Sequence, residues 1–193
     1  MESFQEIFRE VQPRTMTDQT KCFHLYTCAK SVQSKDGAIA EIGVCCGGSG
    51  KLLARSSPHK VVHLFDTFTG IPEHTPGIDV FGVGAFPTNV EDVKAFLSDC
   101  PNVKFHVGVF PTTSLVVANE CFCFVHIDTD NYKSILECLL FFYPRMVSGG
   151  IMMIDDYDYP HCPGVRKATT EFLEGKPDFS MPIHQYQFVI VKV

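Results

Sequence analysis

Six short apolar runs set what this 193-residue chain can fold into: IAEIGV (39–44), VVHLFD (61–66), VKFHV (103–107), FCFVHID (122–128), GIMMID (150–155) and QFVIVKV (187–193). Five of the six are rich in β-branched or aromatic residues and alternate little, the pattern of strands buried on both faces of a parallel sheet. Helical patterns fill the intervals: Thr88 and Glu91 read as a capping box before VKAFL, and YKSILECLLFF (132–142) and VRKATTEFL (165–173) carry apolar helical faces. Strand and helix therefore alternate, which predicts a three-layer α/β domain with a mostly parallel central sheet, helices on both faces and right-handed crossovers. Ahead of the first strand, Phe4, Ile7, Phe8 and Val11 recur at helical spacing, and a second helix is expected over about 18–32. Residues 1–36 read as a helical cover on a core of 37–193, with no repeat or linker dividing the chain into further domains.

Composition removes whole classes of function. A formal charge of -6 gives no support to a nucleic-acid surface, which needs clustered Lys and Arg to displace counterions. No apolar run approaches the roughly 20 residues of a spanning helix, and MESFQEIFRE is too charged for a signal peptide, so no membrane role is expected. The nine cysteines lack regular spacing and sit largely in apolar runs, as Cys138 does in CLLFF, which reads as reduced thiols of a cytoplasmic protein.

In an open parallel sheet, ligands bind beyond the carboxyl ends of the strands. The first strand runs into GVCCGGSGK, where backbone N–H groups and a lysine suggest a phosphate loop. The spacing refuses it, because Cys45 and Leu52 stand where that motif needs Gly and Ser or Thr. Glycines at 43, 47, 48 and 50 fail the dinucleotide pattern as well. The other strands end in acids: Asp66 in FDTF, Asp128 and Asp130 in HIDTD, and Asp155 and Asp156 in IDDY. Such an edge repels phosphate and attracts a cationic cofactor, ribose hydroxyls or a divalent metal. The Gly/Pro-rich stretch 74–88 reads as a long functional loop.

In order and spacing, AEIGVCCGGS, FDTFTGIP, HIDTDNYKS, YPRMVSGGIMMIDDY and PGVRKATTEF resemble the macrocin-type O-methyltransferases, S-adenosylmethionine (SAM)-dependent enzymes that methylate sugar hydroxyls of natural products. The resemblance covers roughly residues 36–175 and implies a Rossmann-like class I methyltransferase fold, SAM as donor and Mg²⁺ beside it. It assigns Glu41, Gly43, Gly47 and Gly48 to the methionine part of SAM, Asp66 to the ribose hydroxyls, and VGVF, with Gly108 and Val109, to the adenine side. The charges agree, since an ammonium and a sulfonium suit an acid and a closely approaching backbone better than a lysine.

Asp128, Asp155 and Asp156 are expected to hold the metal, because adjacent strand ends lie about 5 Å apart and three carboxylates can converge there on one hard cation. Asp128 is also the candidate base for the acceptor proton, with His74 or His161 as alternatives and Asp130 behind them. The expected acceptor is a small diol, sugar-like or catechol-like. Thr129, Lys133 and Ile135 depart from the family pattern, and the residues after 175 leave little room for a terminal hairpin or a large macrolide. Histidines 63, 106 and 126 read as core residues. A non-catalytic SAM or nucleotide-binding module would have no use for the three acids, and an NAD-dependent oxidoreductase would need the pyrophosphate site that the glycine spacing lacks. Homo-oligomerisation is left open.

Overall fold

The computed structural model describes residues 2–184 and 186–193. Two helices come first. Helix α1 (Phe4–Val11) begins at Ser3, whose backbone N–H donates to Glu6 Oε2 at 2.8 Å in a capping box, and it buries the four apolar residues spaced for one face. Helix α2 (Gln19–Ser31) is capped by Asp18, whose carboxylate accepts from the backbone N–H of Thr20 and Lys21.

The expected strands follow as β1 (Ala38–Ile42), β2 (Val62–Asp66), β3 (Val103–Val107), β4 (Phe122–Ile127), β5 (Met146–Ile154) and a last strand (Gln187–Val191). Helices α3 (Gly48–Ser56), α4 (Val90–Phe96), α5 (Tyr132–Phe142) and α6 (Pro163–Leu173) lie between them. A further strand, β6 (Phe179–Ile183), pairs antiparallel with the last one, which is therefore β7. The expectation of too little room for a terminal hairpin is thus corrected. FSMPI reads poorly as a strand because it forms an exposed sheet edge, where Pro182 breaks no ladder that a neighbour needs. A second correction concerns α4. Asn89, not Thr88, is its cap, accepting from Glu91 N at 2.9 Å, while Thr88 Oγ1 donates to Cys45 O at 3.0 Å and fastens the 74–88 loop to the glycine turn.

The sheet order is β3-β2-β1-β4-β5-β7-β6, parallel from β1 to β5 and antiparallel at β7. Chain order reverses between β1 and β4, so the crevice of a doubly wound fold opens above their carboxyl ends. On one face, Ile39, Leu64, Phe124 and Met153 join a single core with α1, α2 and α3, so the N-terminal helices share the core of the sheet. On the other, Phe65, Val125, Ile127 and Met152 pack with α5 and α6. Phe142 is fully buried there, stacked on Phe110 and edge-on to Phe65 and Phe122. Truncating such a ring costs about 3–5 kcal/mol, which makes Phe142→Ala the change that most directly loosens α5. All nine cysteines are free, and burial pushes the Cys138 thiol well above its usual range.

Candidate active site

A cavity of about 540 Å³ lies above the carboxyl ends of β1, β2, β4 and β5. This is a volume suited to a small-molecule ligand. Its floor is the glycine turn after β1. Gly43 sits at φ +91°, and a Cβ there would meet the backbone oxygen of Asp128 at 1.8 Å, so only glycine lets the exits of β1 and β4 approach this closely. The link 14–18 and Lys21 of α2 form one wall, and Phe81, Ala85 and Phe86 of the long loop another. That loop is anchored by Asp79, which is buried and accepts from the backbone N–H of Thr75 and of Tyr132 at the start of α5, both at 2.8 Å.

Asp66 lines the cavity with its carboxylate already engaged. Oδ2 accepts from Val44 N at 2.7 Å and Cys45 N at 2.8 Å, and Oδ1 from Phe68 N at 2.6 Å. An ionised carboxylate offers about four acceptor positions, so roughly one remains for a ribose hydroxyl. Asp66 therefore shapes the glycine turn before it meets any ligand.

The acids of β4 and β5 form two adjoining groups. Asp128 and Asp155 gather with His126, and Asp130 and Asp156 with Cys162, the possible ligand atoms of each group lying within 4.8 Å of one another. The expected trio is thus divided between them. Lys21 joins the groups, its Nζ 2.6 Å from Asp156 Oδ1 and 3.6 Å from Asp155 Oδ2. Burial together with the charges of Asp155, Asp156 and Asp130 pushes the Asp128 carboxyl well above the usual carboxylate range. Asp130 is pushed up to about 6, by burial and then by Asp156.

Behind this wall runs a buried polar row. Glu41 Oε1 lies 2.9 Å from His126 Nδ1, and His126 Nε2 lies 3.5 Å from Asp155 Oδ1, too long for a good hydrogen bond but an effective charge contact. Gln187 Nε2 donates to Asp155 at 2.7 Å, and Gln187 Oε1 meets His24 Nδ1 of α2 at 2.8 Å. Burial alone would keep His126 neutral, yet the carboxylates on either side hold its pKa well above the ordinary histidine value. Asp155, opposed by burial, is held low by His126, Lys21 and Gln187.

Of the residues singled out in the sequence, Gly43, Gly48, Asp66, Gly108, Asp128, Asp155 and Asp156 line the cavity. Glu41, Gly47 and Val109 do not. Glu41 is fully buried on the helix side of β1, where an added Cβ at Gly50 of α3 would sit 2.9 Å from its Oε2, so it stands behind the methionine end expected for it. Gly47 turns at φ +86° against Val93 and Leu97, and Val109 points its side chain to solvent. His74 bonds the backbone of Phe81, and His161 packs beside Tyr159 and Phe81, neither on the cavity wall. Lys21, Tyr159, Tyr186, Phe81 and Phe86 are cavity residues that sequence reasoning did not single out. His126 read as core, and the one signal against that was polarity: Glu41, His126 and Gln187 interrupt otherwise apolar strands.

A mostly parallel seven-stranded sheet, a glycine turn after β1 and an acid at the end of β2 define a Rossmann-like methyltransferase fold. The macrocin-O-methyltransferase (TylF) family matches residues 10–189, and the chain belongs to it. It is similar to the mycinamicin III 3''-O-methyltransferase of Micromonospora griseorubida, 27% identical in an alignment 181 positions long that covers 82% of this chain and 69% of that protein. It is also 28% identical, over 89% of its length and 71% of the relative's, to a tetracenomycin-C rhamnosyl 4'-O-methyltransferase of Streptomyces olivaceus. Among solved structures, the O-methyltransferase NovP superposes with a TM-score of 0.82 at 24% identity, covering 93% of this chain and 82% of that one, a likeness of fold. The chain is accordingly a SAM-dependent O-methyltransferase. Among the described residues, no helix is long and apolar enough to cross a membrane.

Proposed function

We propose that the chain methylates one hydroxyl of a sugar-like diol on a small molecule, with a divalent metal, Mg²⁺, at the acids of β4 and β5. The observation that carries this reading is the position of Asp128, Asp155 and Asp156 on one wall of a cavity whose floor is the glycine turn. The donor chemistry fits a hard cation, which takes carboxylate oxygens. The position of Lys21 supports the fit, because an ammonium at that point already feels the charges of all three. Asp128, Asp155 and Asp156 would hold the ion, which when bound supplies a Lewis acid that lowers the pKa of an acceptor hydroxyl.

The other roles fall to the chain. The turn from Gly43 to Gly48 receives the methionine end of SAM, Asp66 keeps one acceptor position for the ribose, and Gly108 borders the adenine side. As the methyl passes from the sulfonium sulfur to the acceptor oxygen, S-adenosylhomocysteine leaves and the hydroxyl proton goes to the Asp128 carboxylate. Tyr159, Tyr186, Phe81 and Phe86 border the cavity and offer apolar faces to a sugar ring, in keeping with a relative named for methylating a rhamnosyl-bearing tetracenomycin. The helical cover and the core act as one catalytic unit, since Lys21 and the link 14–18 complete the site.

The test is methyl transfer to a panel of glycosides with vicinal hydroxyls and to matched mono-ols, with and without EDTA, using Asp155→Ala and Asp156→Ala beside the wild type. Transfer restricted to diols and lost in both variants and on chelation is expected. Transfer that survives chelation and both substitutions would reject metal assistance.

A further inference from the structure

We propose that Lys21 is a resident counter-cation of the acid cluster, and that a divalent metal must displace it, so that metal binding unlatches the first turn of α2 from the cavity. The inference rests on the metal reading above and adds a residue to it. Lys21 is the only side chain of α2 that lines the cavity, and its side chain is 12% exposed. Its Nζ stands between Asp156 Oδ1 at 2.6 Å and Asp155 Oδ2 at 3.6 Å, in the space that a cation shared by those two oxygens would fill. A buried ammonium is tolerated only when paired, and these carboxylates repel one another unless a cation lies among them. Each therefore satisfies a need of the other. A metal and an ammonium at one point would meet as like charges at close range, so the two are alternative occupants.

Displacement has a structural consequence because of where Lys21 sits. Its backbone N–H is bound to the cap residue Asp18 at 3.0 Å, and the link 14–18 immediately before it walls the cavity. Releasing the side chain removes the tie between Lys21 and the acids that follow β5, while the stretch keeps the contacts of Gln187 on β7 with Lys21 O at 3.5 Å and His24 Nδ1 at 2.8 Å, and that of Arg14 Nε with Cys46 O at 3.2 Å. The cover is thus loosened when the metal enters and held when it is absent.

The experiment is Mn²⁺ binding by calorimetry and electron paramagnetic resonance, on the full chain as wild type, Lys21→Met, Lys21→Arg and Asp155→Asn, with amide exchange of residues 14–24 measured on the wild type with and without Mn²⁺. Removing the competing charge should tighten Mn²⁺ binding by about tenfold or more in Lys21→Met, while Lys21→Arg stays near the wild type. Exchange over 14–24 should rise on Mn²⁺ addition, a readout that holds even if Lys21→Met folds poorly. Equal or weaker Mn²⁺ affinity in a folded Lys21→Met, with binding still lost in Asp155→Asn, would overturn the latch and leave the metal reading standing. Unchanged or slower exchange over 14–24 in Mn²⁺-bound wild type would also overturn it. Absence of Mn²⁺ binding from every form would overturn both.

Discussion

Replacing Asp66 by Ala should cost both stability and cofactor affinity, in amounts that follow from its three contacts. The carboxylate accepts from Val44 N, Cys45 N and Phe68 N at 2.6–2.8 Å, which ties the glycine turn to the end of β2. A hydrogen bond to a charged group contributes about 1.5–3 kcal/mol, and water from the cavity can replace part of it. A net loss of about 1 kcal/mol per bond gives about 3 kcal/mol in all. For a chain of this length that lowers Tm by about 6–12 °C. On the proposed placement of SAM, affinity should fall at least about tenfold, because the turn assigned to the methionine end loses its brace as well as an acceptor for the ribose. Asp66→Asn, which keeps one oxygen for Val44 and Cys45 but turns an NH₂ toward Phe68 N, should fall between. Thermal unfolding by circular dichroism and SAM calorimetry measure the two effects. A folded Asp66→Ala protein with Tm within about 1 °C of wild type would refute the brace. Unchanged SAM affinity in the same protein would refute the placement of SAM.

Three further outcomes are expected. Gly43→Ala forces a Cβ to 1.8 Å from Asp128 O at φ +91°, so it should destabilise by more than about 4 kcal/mol or fail to yield soluble protein; a normal urea midpoint would contradict the close approach. Glu41→Gln weakens the compensation of the His126 charge and should lower stability by about 3 kcal/mol, with SAM affinity preserved in the folded fraction, because Glu41 lies off the cavity wall. On the other face, His63 Nδ1 and His106 Nε2 lie 2.9 Å apart, and burial lowers the pKa of His63 and takes His106 to about 4. Folded pKa values below the unfolded 6.5 mean that this pair's contribution is complete above pH 6.5 and is lost as pH falls toward 4, so Tm should drop less between pH 7 and pH 5 in His106→Gln than in wild type.

The parallel half of the sheet was legible because strands buried on both faces must be continuously apolar, and each of those runs became a strand. That same property hid direction. A run with no alternation does not say which way Glu41 points, and it faces α3 rather than the ligand crevice. The carboxylates at the strand ends could be gathered by topology alone, since Asp66, Asp128, Asp155 and Asp156 all follow the strands whose ends form the crevice. Lys21 could not, because its partners lie more than a hundred residues away and meet it only through the packing of α2 on the sheet. The edge strand β6 escaped for the opposite reason to β1: it is exposed, so nothing in its composition records a buried face.

The reversed strand β7 has a consequence for how the molecule is made. It lies between β5 and β6, yet every other strand precedes it in synthesis. At about 5–20 residues per second, β7 leaves the ribosome roughly 2–7 s after β5. During that interval Ile151, Met152, Met153 and Ile154 stand on an unpaired edge, the kind of surface that recruits other strands. Expression of this protein should therefore depend on translation speed through the α6 region and on chaperones that shield a nascent edge, even where the finished fold is stable.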